Sequence, residues 1–146
     1  MTILVIEDSR LLRSAITRIL MKAGYQVIAV GDGHEGLTRA QDACPDIILL
    51  DMMLPTMEGT AVLRQLKKNL ATKEIPVVVL SGLSKKNGHK LLADGAAGYL
   101  EKSLLDFEGD GAPLVAALKP LLARRAGALE TVLVSDRREN HRLTTD

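Results

Sequence analysis

The stretch Pro45-Asp46-Ile47-Ile48-Leu49-Leu50-Asp51 decides the fold, because it sets a continuous apolar run directly before a carboxylate. A run of this kind, with no polar alternation, is typical of a strand that is covered on both faces, as in a parallel sheet. The end of a buried strand rarely carries a charge without a partner. We therefore expect a buried strand that ends in a functional carboxylate, Asp51.

Four more apolar runs alternate with segments of helical period between residue 2 and about residue 126. These runs are Ile3–Ile6, Tyr25–Val30, Val77–Leu80 and Gly98–Leu100. The first helical stripe has Ser9 placed as its N-terminal cap and Gly24 placed to end it. Each connection is long enough for a right-handed crossover, so the pattern predicts a doubly wound α/β domain with a five-stranded parallel sheet.

The composition narrows the classes of function. Hydrophobic residues make up 47% of the 146 residues, charged residues 25%, and the net charge is +1, which is typical of a globular domain and argues against a nucleic-acid-binding protein. The single cysteine, Cys44, permits no internal disulfide. We find neither a signal peptide nor a membrane helix in the sequence and expect a cytoplasmic protein.

Polar side chains end four of the predicted strands, and the carboxyl ends of parallel strands share one edge of a sheet. These residues are Glu7, Asp8, Asp51, Ser81 and Lys102. Three neighbouring carboxylates repel one another unless a cation compensates them, and Mg²⁺ prefers such oxygen ligands. A phosphoryl group at this edge could contact the hydroxyl and the ammonium. The sequence contains no glycine-rich nucleotide loop, so we predict that Asp51 itself receives the phosphate.

Four segments, in this order and spacing, resemble the receiver domain of the two-component response regulators. They are Ile3–Ser9, Pro45–Gly59, Ile75–Ser81 and Gly95–Lys102. The resemblance covers residues 1–126 and implies a flavodoxin-like (βα)₅ fold with strand order 2-1-3-4-5.

The resemblance also implies roles for individual residues. Asp51 would be the phosphoacceptor, and Ser81 and Lys102 would contact the phosphoryl oxygens. Tyr99 matches the aromatic residue whose rotamer follows Ser81 in the active form. The implied Mg²⁺ ligands are the carboxylates of Glu7, Asp8 and Asp51 and the backbone carbonyl of Met53.

One position departs from the family pattern. The family usually has a proline after the lysine that matches Lys102, in a cis peptide, whereas Ser103 stands here. A cis bond before a residue other than proline costs about 3–4 kcal/mol, so we expect either a strained loop or a different presentation of Lys102.

The resemblance implies a signalling switch that takes phosphate from a histidine kinase or a histidine phosphotransfer protein. It implies no enzyme activity beyond self-phosphorylation and slow self-dephosphorylation. The output would be an altered partner-binding face, formed by the fourth helix, the fifth strand and the fifth helix, with no direct contact to nucleic acid or membrane.

Two alternatives stay open. A scaffold of the same fold could bind partners without phosphorylation. A phosphatase or phosphotransferase could use Asp51 as its nucleophile, although such enzymes normally have a second acid where Met53 stands and a cap domain.

The last part of the chain departs from the pattern. We expect Pro120 to kink or end the fifth helix, which starts at Pro113, and Thr131–Val134 to form a strand. This strand and the residues that follow it imitate the start of the chain, with Arg137 at the place of Asp8. Residues 127–146 are therefore interpreted as a tail after the 1–126 domain, either the start of a second, degenerate receiver-like unit or an edge or swapped strand.

Overall fold

The computed structural model describes residues 1–82 and 88–144, and their side chains over 1–82 and 90–129. The strands are β1 (Thr2–Ile6), β2 (Gln26–Val30), β3 (Ile47–Asp51), β4 (Val77–Ser81) and β5 (Gly98–Glu101). The helices are α1 (Arg10–Lys22), α2 (Gly33–Ala43), α3 (Gly59–Lys68), α4 (Gly88–Ala93) and α5 (Ala112–Thr144), with a short 3₁₀ helix at Lys102–Leu104.

The five strands form one parallel sheet in the order β2-β1-β3-β4-β5, which confirms the expected topology. Strands β1 and β3 are neighbours, with Ile6 opposite Leu50. The residues that follow these two strands therefore meet at the carboxyl edge of the sheet. The order reverses direction at this point, which is where ligands bind in open α/β sheets.

Alternate side chains of the central strands pack on opposite faces, and each face has its own core. Leu4, Ile48 and Val79 belong to the core beneath α2, α3 and α4. Val5 and Leu49 belong to the core beneath α1 and α5. Every residue of β3 is buried, which explains why its sequence is continuously apolar up to Asp51.

The predicted ends of α1 are confirmed. The Ser9 hydroxyl accepts a hydrogen bond from the Leu12 N–H at 3.3 Å, as an N-terminal cap does. Gly24 has a φ of +99°, and its N–H donates to the Met21 carbonyl at 3.0 Å. A positive φ favours glycine, so this position gives the helix a sharp end before β2.

The prediction that Pro120 ends the fifth helix is wrong, because α5 continues through it, whereas the predicted kink at this residue stays a prediction. Proline leaves the carbonyl four residues before it, that of Ala116, without its helical hydrogen bond. Ala116 and Pro120 are both exposed, so water can bond that carbonyl. Leu118 and Leu122, on the buried side, hold the helix to the sheet.

The prediction of a strand at Thr131–Val134 is also wrong, since these residues lie within α5. A strand needs a neighbouring strand for its backbone hydrogen bonds, whereas a helix satisfies them internally. A second receiver-like unit starting in residues 127–146 stays a prediction. Among the described residues, no helix is both long and apolar enough to cross a membrane.

We predict that residues 128–146 contribute little to the stability of the domain. Leu122 is the last residue of the buried core in the described part of α5, and Ala128 and Leu129 are exposed. The 1–127 chain should unfold within a few degrees of the full chain, as measured by circular dichroism.

A shorter truncation serves as the control. The 1–117 chain loses Leu118 and Leu122, and removing buried leucine side chains costs about 2–5 kcal/mol each. If the 1–127 chain loses as much stability as the 1–117 chain, the tail is an integral part of this fold.

Candidate functional site

Asp51 ends β3 and is only 1% exposed. Its Oδ1 accepts a hydrogen bond from the Met53 N–H at 3.1 Å, so the following loop curls back over the carboxylate. Gly59 closes that loop, with its N–H bonded to the Met52 carbonyl at 3.2 Å. A Cβ at Gly59 would lie 2.7 Å from the Asp51 carbonyl oxygen, so only glycine permits this approach.

Two more carboxylates stand beside Asp51. Carboxylate oxygens of Glu7, Asp8 and Asp51 lie within 4.8 Å of one another, as the strand ends predict. Glu7 is 1% exposed, whereas Asp8 faces solvent. The Ser9 N–H donates to Glu7 Oε1 at 3.2 Å and restrains that side chain.

Lys102 provides the positive charge of the cluster. Its Nζ lies 3.0 Å from Asp51 Oδ1 and 3.3 Å from Glu7 Oε2. Lys102 does not end the fifth strand but starts the 3₁₀ helix that follows it. Within the described residues every peptide bond is trans, including Lys102–Ser103, so serine at this position still lets Lys102 contact both acids.

The pKa of Glu7 is perturbed by burial and by a neighbouring like charge. Burial and then the charge of Asp51 raise the pKa of Glu7 from its ordinary 4.5 to about 7, against the lowering effect of Lys102. Burial alone would lower the pKa of Lys102, but its hydrogen bond with Asp51 and the charges of Asp51 and Glu7 together raise it. Among the described residues, the ammonium of Lys102 therefore does not fully compensate these carboxylates.

The donor set fits a divalent cation. Glu7 Oε2 is buried and has no hydrogen-bond donor among the described residues apart from its ion pair with Lys102. A buried carboxylate oxygen without a hydrogen bond is costly and is well suited to a hard cation. Asp8 and Asp51 offer further carboxylate oxygens close by. The Met53 carbonyl lies in the loop after Asp51, and its role as a ligand stays a prediction.

Ser81 and Tyr99 lie on neighbouring strands. Ser81, which ends β4, is 7% exposed, and Tyr99 is half-buried against the core beneath α2, α3 and α4. Tyr99 pairs with Val79, two residues before Ser81 on the same strand. Since side chains alternate along a strand, Ser81 and Tyr99 belong to the same face of the sheet.

Arg13 also belongs to the site, although the sequence analysis did not select it. Its guanidinium donates to the backbone carbonyl of Glu7 at 2.8 Å and to that of Asp8 at 3.3 Å. A basic residue on a first helix is an ordinary surface feature, and backbone acceptors carry no residue-type signature. No signal in the sequence distinguishes it.

Comparison with known proteins assigns the family. The family model described as "Response regulator receiver domain" matches residues 3–108. The chain belongs to this family. Receiver domains are signalling domains of two-component systems, and this receiver domain has the acidic cluster at which they bind Mg²⁺.

Relatives from several organisms share this region. The receiver domain is 32% identical over 123 residues to the phosphate regulon transcriptional regulatory protein PhoB of Escherichia coli, covering 84% of this chain and 52% of PhoB. It is 35% identical over 103 residues to Protein PilG of Pseudomonas aeruginosa, covering 68% of this chain and 75% of PilG. A 35% identical protein-glutamate methylesterase/protein-glutamine glutaminase of Archaeoglobus fulgidus matches over only 34% of its length. The chain thus spans between a third and about half of several of the relatives it matches.

Solved structures show the same fold. Chemotaxis protein CheY4 of Vibrio cholerae aligns with a TM-score of 0.73 at 28% identity, over 82% of this chain and 97% of CheY4. The BeF3-activated N-terminal receiver domain of Klebsiella pneumoniae RstA aligns with a TM-score of 0.74 at 28% identity, over 84% of this chain and 98% of that domain.

The raised pKa of Glu7 predicts a pH-dependent stability. The folded state holds the Glu7 proton more tightly than the unfolded state does, so stability without divalent cations should fall as the pH rises from about 4.5 to about 7. Glu7→Gln should remove this fall and raise the unfolding temperature at pH 8. Thermal unfolding in EDTA between pH 4.5 and 8 measures both effects.

The matched control is Glu108→Gln, which changes an exposed glutamate. It should follow the wild-type curve. Parallel curves for wild type and Glu7→Gln across this range would contradict the described burial of the Glu7 charge.

Proposed function

We propose that this receiver domain is a switch that accepts a phosphoryl group on Asp51 in a Mg²⁺-dependent reaction. The observation that carries this proposal is the cluster around Asp51: a buried carboxylate with an ammonium 3.0 Å away and two more carboxylates close by. A nucleophile, a phosphate-binding cation and oxygen ligands for a metal therefore converge on one edge of the sheet.

The proposed transfer changes two bonds. An oxygen of the Asp51 carboxylate bonds to phosphorus while the bond from phosphorus to the donor breaks, and the donor keeps that electron pair. With a phosphohistidine donor the leaving atom is an imidazole nitrogen, and with acetyl phosphate it is an acetate oxygen. The product is an acyl phosphate on Asp51.

Each neighbour has a defined part in this proposal. Lys102 would move from its pairing with carboxylates to a pairing with phosphoryl oxygens, and Ser81 would donate its hydroxyl to them. Bound Mg²⁺, held by Glu7, Asp8, Asp51 and the Met53 carbonyl, supplies positive charge against the carboxylates and the phosphate.

The proposed conformational response to phosphorylation depends on the position of Ser81. A hydroxyl that moves toward the phosphate leaves space on the face that Ser81 shares with Tyr99, and the Tyr99 ring would turn to fill it. Because β5 is an edge strand that contacts α4 and shares a core with α5, this change would alter the α4-β5-α5 face. That face is the proposed contact with an output protein or domain, with no direct contact to nucleic acid or membrane.

The proposed phosphate donor is a histidine kinase or a histidine phosphotransfer protein in the cytoplasm. Membership of the receiver family and the similarity to a phosphate regulon regulator support such a partner. Loss of the phosphate should be slow, because Met53, two residues after Asp51, is 69% exposed and has no polar group to orient a water molecule.

The first test of the proposal is phosphorylation by acetyl phosphate followed by mass spectrometry. Wild type with Mg²⁺ should gain one phosphoryl group, and EDTA should abolish the gain. Asp51→Asn should gain none, whereas Asp42→Asn, at an exposed position on α2, should react like wild type.

The other outcomes separate the alternatives. A chain that forms no adduct would be a phosphorylation-independent scaffold. Continuous release of inorganic phosphate without an accumulated adduct would identify a phosphatase, and equal adduct yield in EDTA would contradict the role of Mg²⁺.

A second test concerns Lys102. Lys102→Ala should still accept some phosphate, because Asp51 and the two other acids remain, but should lose the conformational response. The measurement is the change of the Tyr99 ring signals in NMR spectra after addition of beryllofluoride and Mg²⁺. Lys119→Ala, which removes an exposed lysine of α5, should respond like wild type. A normal Tyr99 response in Lys102→Ala would contradict this role.

A further inference from the structure

Arg13 ties the first turn of α1 to the end of β1. Its Nη1 donates to the Glu7 carbonyl oxygen at 2.8 Å and to the Asp8 carbonyl oxygen at 3.3 Å. The Glu7 N–H donates to the Val30 carbonyl at 3.0 Å, so the backbone of Glu7 is held on both sides. These bonds fix the main chain of two residues whose carboxylates belong to the acidic cluster.

The chain leaves room for this guanidinium at Gly31, the residue after β2. A Cβ at Gly31 would lie 3.0 Å from Arg13 Nη1, which is tighter than an ordinary contact. Arg13 is half-buried, and its hydrogen bonds are charge-assisted, which makes them stronger than neutral ones. The guanidinium therefore links the loop between β1 and α1 to the end of β2.

We propose that Arg13 is a positioning residue for the divalent-cation site. The carboxylates of Glu7, Asp8 and Asp51 repel one another in the absence of a cation, and a loose loop would let the first two move away. By holding both carbonyls, Arg13 keeps these carboxylates beside Asp51. This inference rests on the proposed function, since it assigns a residue to the Mg²⁺ site proposed there.

The direction in which Mg²⁺ affinity changes when Arg13 is replaced distinguishes a positioning role from a purely electrostatic one. Arg13 carries a positive charge near the site, and that charge by itself disfavours a cation. If only its charge mattered, removing it would tighten Mg²⁺ binding. If Arg13 positions the ligands, removing it weakens binding despite the more favourable charge.

The experiment measures Mg²⁺ affinity of the full, unphosphorylated chain by NMR, from the amide shifts of Ser9 and Met53. Arg13→Met keeps most of the aliphatic stem but has no donor, and its dissociation constant should rise about tenfold, as for other residues that orient metal ligands. Arg13→Lys retains a donor and should fall between wild type and Arg13→Met. The matched control is Arg10→Met, which removes an exposed positive charge from the same turn and should bind Mg²⁺ at least as tightly as wild type.

Unfolding temperatures in EDTA show whether each variant is folded, and should Arg13→Met fail to fold, the comparison rests on weaker binding by Arg13→Lys. If wild type binds Mg²⁺ and both Arg13 variants bind as tightly as Arg10→Met, the positioning role is overturned while the proposed function stands. If wild type itself shows no Mg²⁺-dependent shifts, the proposed function fails first, and the inference fails with it.

Discussion

Glu7 and Asp51 are two buried carboxylates side by side, and the single ammonium of Lys102 contacts both. The rest of the site depends on this imbalance. With Asp8 included, three carboxylates of the described residues lie around the ammonium of Lys102, and burial together with the charge of Asp51 raises the pKa of Glu7 to about 7 despite that ammonium. A second buried lysine would offset a further negative charge and weaken the attraction for a cation. The structure instead leaves an electrostatic requirement that a divalent cation can meet.

The sheet makes this imbalance possible by fixing where the charges lie. Parallel strands bring their carboxyl ends to one edge, and the order β2-β1-β3 puts the ends of β1 and β3 next to each other. Both strands are buried in apolar cores on their two faces, so their ends cannot easily separate. Hydrogen bonds from Ser9, Met53 and Arg13 then hold the loops that carry the acids.

Side chains that follow directly from strand periodicity were the most predictable part of the site. Glu7 and Asp51 follow apolar runs and lie where parallel strand ends must meet, so the sequence predicts their proximity without any coordinates. The resemblance to receiver domains added the predicted roles of Met53 and Tyr99 and the predicted order of the strands. The strand order and the family assignment are confirmed, whereas the roles of the individual residues stay predictions.

The incorrect predictions for the fifth helix, and the failure to select Arg13, have physical causes that are visible only in the folded structure. Pro120 is tolerated within α5 because Ala116, whose carbonyl it leaves unbonded, is an exposed residue, and that exposure depends on how the helix packs in the fold. Thr131–Val134 has the composition of a strand, but no strand of the described residues pairs with it. Arg13 acts through backbone carbonyls, which every residue has, so only the three-dimensional structure distinguishes it from an ordinary surface arginine.

The central claim is that the three carboxylates form one cation site beside the phosphoacceptor. Anomalous diffraction from crystals of this chain soaked in Mn²⁺, a stand-in for Mg²⁺ with the same preference for oxygen ligands, tests it most directly. The account predicts one strong anomalous peak within bonding distance of carboxylate oxygens of Glu7, Asp8 and Asp51, and its loss in crystals of Asp51→Asn. Crystals that bind Mn²⁺ elsewhere while the space between Glu7, Asp8 and Asp51 shows no peak would contradict the account.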